Sequence, residues 1–319
     1  MSLHFRYTHD MEEMKDSENW NEKEDFRKKK LQGKAIKDVG IFLSYILVPF
    51  HISTLKTLLC YLKTVLNEFF LLQFKVKWGW KKISIVQVSD VIDADIPFLP
   101  EKSDIYLDFI NFWVRCLNFV ILRFGRKKSI PHLAGFMSIL TRTYHEAAGI
   151  YKTRMSTTPR PPAGNNKNMK TIHRIDPHLL CVPSLHICVV VLTYTFFTNV
   201  FRQEAMPQEE QDQYSNELWD GAVEIAETVL YVKQHSVNCI PAALYMMTHL
   251  LKDQFTIQDA INFIDCLFVD TSHIPAEQGQ TIRNHIHYMF DRLLLEGCNE
   301  EDWTVPVLRW LMTQPVTSL

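Results

Sequence analysis

Residues 178–201 read HLLCVPSLHICVVVLTYTFFTNVF and, with Pro177, make up the longest run of the chain without an Asp, Glu, Lys or Arg. At about 1.5 Å per residue, a helix over the whole run is long enough to cross a bilayer. Pro183-Ser184-Leu185-His186 falls in its first third or so, however, and the continuous helix starts there. That leaves it short for a span. The run reads as the central helix of a globular bundle, with the rest of the chain arranged around it.

The flanking sequence is helical in pattern. Upstream, the apolar stretch from Val39 through Phe74 reads as two helices meeting near Pro49, because proline removes a backbone donor and clashes with the preceding turn. Residues 104–124 and 130–152 are further helices, the second starting near Pro131, and 155–168, rich in Thr, Pro and Asn, is a loop. Downstream, 216–234 is amphipathic, with Leu218, Ala222, Ile225, Val229 and Val232 close to helical spacing. Helices follow over 237–252, 256–268, 275–296 and 300–313, with Thr256 and Asp270/Thr271 as caps. The organisation expected is a polar tail over 1–34, a helical core over 35–252 and a helical appendage over 253–319.

Composition agrees with an all-α class. Glycine is scarce, at 10 of 319 residues, whereas sandwiches and nucleotide-binding α/β folds use more of it in their turns. Apolar residues make up 47% and charged residues 22%, near the average for a folded soluble domain, and the mean hydropathy of -0.09 argues against a chain made mostly of membrane spans. The seven cysteines are scattered with no C-x-x-C pair and mostly sit beside apolar residues, which points to reduced, buried thiols. The first 34 residues are polar and lack the apolar core of a signal peptide, so cytoplasmic and membrane-associated locations both stay open.

Total charge is balanced, 34 Lys and Arg against 36 Asp and Glu, so no nucleic-acid partner is expected. Local charge is not balanced. Between Arg123 and Arg174 there are eleven basic residues and one acid, Glu146, while from Gln203 onward there are eighteen acids and five bases. A basic segment is a solvated face, a site for a phosphate held by converging cations, or a surface for anionic lipid.

Two histidine motifs carry the chemistry. In Cys181-Val182-Pro183-Ser184-Leu185-His186-Ile187 a proline at a helix start leaves amides free, Ser184 adds a donor, and His186 can deliver a proton. In the second, Lys233-Gln234-His235, the histidine lies amid apolar residues at a helix junction. Other sites are excluded by spacing. Gly149 stands where H-E-x-x-H needs its second histidine, His9-Asp10 lies in the polar tail, and no phosphate-binding glycine loop or G-x-S-x-G is present. His178, Cys181, His186 and Cys188 fit no zinc spacing, and no metal or other cofactor is expected. His285 and His287 read as surface residues.

The pair of motifs resembles the superfamily of type 2 phosphatidic acid phosphatases and vanadium haloperoxidases. It is most similar to the branch that writes the middle motif P-S-L-H and the last with K-Q-H, as inositol phosphorylceramide synthase-like proteins do. The resemblance covers roughly residues 100–252 and implies an all-α helical bundle of that type with extra C-terminal helices. It also implies a phosphatase or phosphotransferase acting on a lipid phosphate or another phosphate monoester. By the resemblance His235 is the nucleophile that becomes phosphohistidine and His186 the general acid for the leaving alcohol. Lys152, Arg154, Arg160, Ser184 and Lys233 would hold the phosphate, since spreading the charge of its equatorial oxygens is the main task in phosphoryl transfer.

The sequence departs from the pattern at several places. Lys152 lies one residue too far from Arg160-Pro161 for K-x(6)-R-P, with Arg154 as a substitute. Val229 occupies the position of an arginine before the nucleophile, Thr228 that of a serine, and Cys239 that of the aspartate that would orient the nucleophilic imidazole. A catalytically degenerate relative that binds an anion, a lipid or a protein partner is the alternative. The two readings differ in whether the histidines and cations converge on one pocket. A membrane surface is a further candidate partner.

Overall fold

The computed structural model describes residues 26–317 apart from 30 and 32. His9-Asp10, most of the polar tail and Lys30 of the basic run therefore lie outside the described residues. The helices are α1 (Phe42–Leu47), α2 (Ile52–Thr64), α3 (Leu71–Lys77), α4 (Ser103–Phe124), α5 (Arg126–Thr153), α6 (Lys167–Ile175), α7 (Leu185–Gln203), α8 (Gln208–Tyr231), α9 (Cys239–Leu250), α10 (Ile257–Cys266), α11 (Ala276–Gly297) and α12 (Thr304–Met312). A π-helical segment, Val65–Phe70, joins α2 to α3. Helix accounts for 70% and strand for 3%, so the class is all-α.

α7 is the central helix. It packs against α4, α5, α8 and α9, and Ile187, Cys188, Val189, Val190, Val191 and Leu192 are all buried. Six consecutive buried residues cover every side of a helix with 3.6 residues per turn, which only a surrounded helix can satisfy. Ser184 starts it, its hydroxyl accepting from the Ile187 amide. By length and composition alone the segments Pro100–Phe124 and Leu185–Gln203 are both apolar enough to cross a membrane, and 50% and 67% of their apolar windows are buried in the bundle.

Several boundaries differ from expectation. α5 begins at Arg126, so Pro131 lies inside it. Its second-turn position forgoes only the bond to the carbonyl of residue 127, and Ser129 Oγ ties the turn to the Gly125 and Val120 carbonyls at 2.7 and 2.9 Å. Gly125, at φ +80°, makes the reversal from α4. α8 begins at Gln208, eight residues before the apolar periodicity, in an acidic first turn that suits the helix dipole. Asp270 caps no helix. It closes a turn by accepting from the Ser272 amide, and α11 starts after Pro275. Thr256 does cap α10, in a reciprocal capping box with Asp259.

The segment 155–168 is not wholly loop. Met155–Thr157 forms β2, parallel to β1 (Ile85–Gln87), whose other edge pairs antiparallel with β3 (Val316–Thr317). This small sheet fixes the exit of α5 beside the segment that leads to α4. At the C-terminal end α11 lies on α9, and α12 lies on α5 and α11.

Candidate functional site: two histidines at the mouth of an apolar cavity

α7 and α8 are joined by only four residues, Glu204–Pro207, and pack on each other as a helical hairpin. Their lengths, 19 and 24 residues, carry the chain about 30 Å out and about 35 Å back at 1.5 Å per residue. The end of α8 therefore returns to the start of α7. There Lys233 adopts φ +54°, and the amides of Gln234 and His235 both donate to the Val229 carbonyl, at 3.0 and 3.2 Å. This tight turn presents His235 to the first turn of α7.

The two imidazoles, 49 positions apart in sequence, meet with His186 Nδ1 3.2 Å from His235 Nε2. Ser184 Oγ stands 3.3 Å from the same Nε2. His186 is flanked by the rings of Tyr106 and Phe109 of α4, at centroid distances of 4.7 and 4.5 Å. His235 is buried, and its Nδ1 has no hydrogen-bond partner. Cys239, where a carboxylate was expected, is buried too, and its sulfur accepts from the Ser236 amide at 3.4 Å.

Burial makes both rings neutral bases. It pushes His235 down to about 4, against which the Cys181 backbone works. Burial, and then the charge of His235, hold His186 well below the usual histidine range. His178 is depressed in the same way, by burial and then by Arg160. His178 Nε2 lies 2.8 Å from Thr158 Oγ1.

The pair opens on a cavity of about 240 Å³ walled mainly by apolar and aromatic side chains, among them Tyr61, Phe69, Tyr106, Phe109, Tyr144 and Ile172. Asp176 and Gln234 also line it, and no lysine or arginine does among the described residues. Burial raises the Asp176 carboxyl above its ordinary range.

The five expected phosphate ligands are placed differently. Ser184 is at the pair. Arg160 stands one side chain behind the cavity wall, donating to Gln234 Oε1 at 3.2 Å and to the Asp176 carbonyl at 3.3 Å. Lys152 is drawn away to the surface, where it donates to Glu68 at 2.8 Å. Lys233 donates to the carbonyls of Asp93 and Ile96, so it holds the segment before α4 and does not face the cavity. Arg154, whose Nε is buried without a hydrogen-bond partner, is not among the lining residues. The structure thus brings together His186, His235, Ser184 and, at one remove, Arg160, and does not bring Lys152, Arg154 or Lys233 to them.

Nothing in the local sequence points to a role for Gln234, Asp176, Tyr106 or Phe109. The K-Q-H motif contains Gln234, and Tyr106 and Phe109 share a face at i, i+3, but nothing local says that this face meets α7. His285 is partly buried and bonds Asn238 Oδ1 at 2.8 Å instead of lying free at the surface. Of the zinc set considered, Cys188 is turned to the Ala243 carbonyl and Met246, and no group of three or more metal-ligating side chains occurs among the described residues. Comparison with protein-family models, curated proteins and solved structures yields no match.

Proposed function

We propose that this chain is a phosphatase or phosphotransferase acting on a lipid phosphate or another phosphate monoester, built on a helical bundle of the phosphatidic acid phosphatase and haloperoxidase type. The observation that carries the reading is the 3.2 Å approach of His186 to His235, with Ser184 at the same nitrogen. Two neutral imidazoles and a hydroxyl at a helix start have the parts of a nucleophile, an acid and an oxyanion donor.

In this mechanism His235 Nε2 attacks phosphorus, the ester P–O bond breaks, and a P–N bond forms. A proton from His186 goes to the departing alkoxide oxygen. Water then attacks the phosphohistidine, its proton returns to His186, and inorganic phosphate leaves; with an alcohol in place of water the same step is a transfer. An incoming phosphate brings negative charge beside both rings and raises their basicity, which arms His186 as an acid. Arg160, which donates to Gln234 of the cavity wall, is the cation assigned to the equatorial oxygens once that bond is released.

A second reading is favoured by specific observations: the partnerless Nδ1 of His235, Cys239 at the start of α9, and a cavity wall without lysine or arginine among the described residues. These fit a relative that binds an amphiphilic anion and has lost turnover. Vanadate-sensitive hydrolysis of an aryl phosphate and of phosphatidic acid, measured for wild type, His235→Ala and Cys239→Asp, separates the two. Activity abolished in His235→Ala supports phosphoryl transfer. Folded wild type and Cys239→Asp proteins that bind vanadate without turnover leave the binding reading, and absence of both activity and vanadate binding counts against either.

A further inference from the structure

We propose that the outer face of residues 42–82 docks on an anionic lipid bilayer, with the mouth of the histidine cavity turned towards it. The face begins on α1 and its link to α2, where Phe42, Phe50 and Ile52 are 75%, 78% and 84% exposed. It continues with Leu59, Leu62 and Leu66, exposed as well. From Ile52 these fall at steps of seven, three and four, so they form one stripe along the helix, flanked on one side by the core-packed Leu58, Tyr61 and Val65 and on the other by exposed Lys56 and Lys63. The stripe ends beyond α3 at Trp78 and Trp80, both exposed and in mutual ring contact at 5.0 Å. Tryptophans at the end of an apolar stripe suit the boundary between acyl chains and headgroups.

Charge selects the occupant. Residues 41–83 contain six lysines, at 56, 63, 75, 77, 81 and 82, and one acid, Glu68. That acid already accepts from Lys152 and from His145, at 2.8 and 2.9 Å. Next to the mouth, α6 adds exposed Lys167, Lys170 and Arg174. An apolar stripe set among cations matches an anionic leaflet. A second copy of the chain is disfavoured, since a two-fold interface through this patch would set lysines against lysines.

The face is continuous with the cavity. Phe70, Leu107, Ile110 and Ile175 line the cavity and are also exposed at its rim. A single acyl chain could pass from the bilayer between them while its headgroup reaches His186 and His235. This last point rests on the phosphoryl-transfer reading, whereas the docking itself does not.

The test is flotation of the full chain with vesicles of phosphatidylcholine alone and with phosphatidylserine added, without any substrate. Wild type and His235→Ala should float with the anionic vesicles, and salt should weaken binding. The pair Phe50→Asp/Ile52→Asp, both exposed and outside the cavity, should bind about tenfold or more weakly. Lys75→Glu/Lys77→Glu should lose affinity for anionic vesicles only. The proposal is overturned if wild type stays unbound, if Phe50→Asp/Ile52→Asp floats like wild type, or if wild type is a dimer that this double variant dissociates. Docking that persists while all hydrolysis is absent overturns the phosphatase reading and leaves the surface intact. Docking variants that keep aryl-phosphate hydrolysis and lose vesicle-borne phosphatidic acid hydrolysis support both.

Discussion

His235→Gln should make the protein less sensitive to acid. In the folded chain burial holds His235 at about 4, against about 6.5 for an unfolded histidine. A histidine whose folded value is depressed contributes stability above its unfolded value and loses it as pH falls towards the folded one. The window is therefore pH 6.5 down to 4. At pH 4.5 the unfolded ring is almost fully protonated while the folded ring is mostly neutral, which costs the native state on the order of 2–3 kcal/mol relative to pH 7.5. His186, held well below the usual histidine range by burial and then by the charge of His235, also loses stability as pH falls, so part of this loss belongs to the pair. Urea denaturation of wild type and His235→Gln at pH 7.5 and 4.5 measures the difference, and the variant should lose about 2 kcal/mol less on acidification. Equal acid sensitivity in the two proteins would mean that His235 is not buried as a neutral base, and the picture of an uncharged imidazole pair would fall with it.

The remaining predictions bear on the site and the fold. If phosphoryl transfer occurs, its rate should peak on the acid side of neutrality, because His186 must be protonated and is held well below the usual histidine range; a pH–rate profile rising to pH 8 would contradict the roles assigned. Arg160→Ala should lower kcat/KM for an aryl phosphate by about a hundredfold or more, the cost of losing a charge-stabilising donor. Lys152→Ala should change it by less than about threefold, since Lys152 is in an ion pair with exposed character; comparable losses in both would show that Lys152 reaches the substrate. Thr256→Ala should cost about 1 kcal/mol of stability in urea titrations through the lost cap of α10.

Features that depend on neighbouring residues were legible, and those that depend on distant partners were not. Ser184 starts α7 and Thr256 starts α10 because cap chemistry spans three residues. The charge-free run read as a central helix is one, since a helix apolar on every side must be surrounded. β2 was missed because three residues make a strand only when β1, seventy positions upstream, lies beside them. Lys152 was expected at the phosphate because its competitor, Glu68, sits 84 positions away on a π-helical segment that no local pattern announces. Lys233 failed for a different reason: its backbone lies in the left-handed region, and the turn sends its ammonium to the carbonyls of Asp93 and Ile96.

The closed histidine pair sets a requirement on any in-line reaction. Attack needs His235 Nε2 within roughly 3 Å of phosphorus and His186 within hydrogen-bond reach of the oxygen on the far side, so the two nitrogens must stand about 6 Å apart or more. His186 Nδ1 stands 3.2 Å from His235 Nε2, so donation through that nitrogen requires the pair to open. Ser184 cannot give way, being fully buried and bonded into the first turn of α7, and His186 is held between the rings of Tyr106 and Phe109. His235 sits on a turn, and its Nδ1 has no hydrogen-bond partner, although the Cys181 backbone favours the charged form of the ring. If phosphoryl transfer occurs, His235 is therefore the ring expected to move, and the same unpartnered Nδ1 that would weaken it as a nucleophile leaves it free to swing. An aspartate at position 239 would oppose that freedom while supporting the imidazolium, so Cys239→Asp should act on the chemical step and on substrate admission in opposite directions: a higher kcat together with a higher KM.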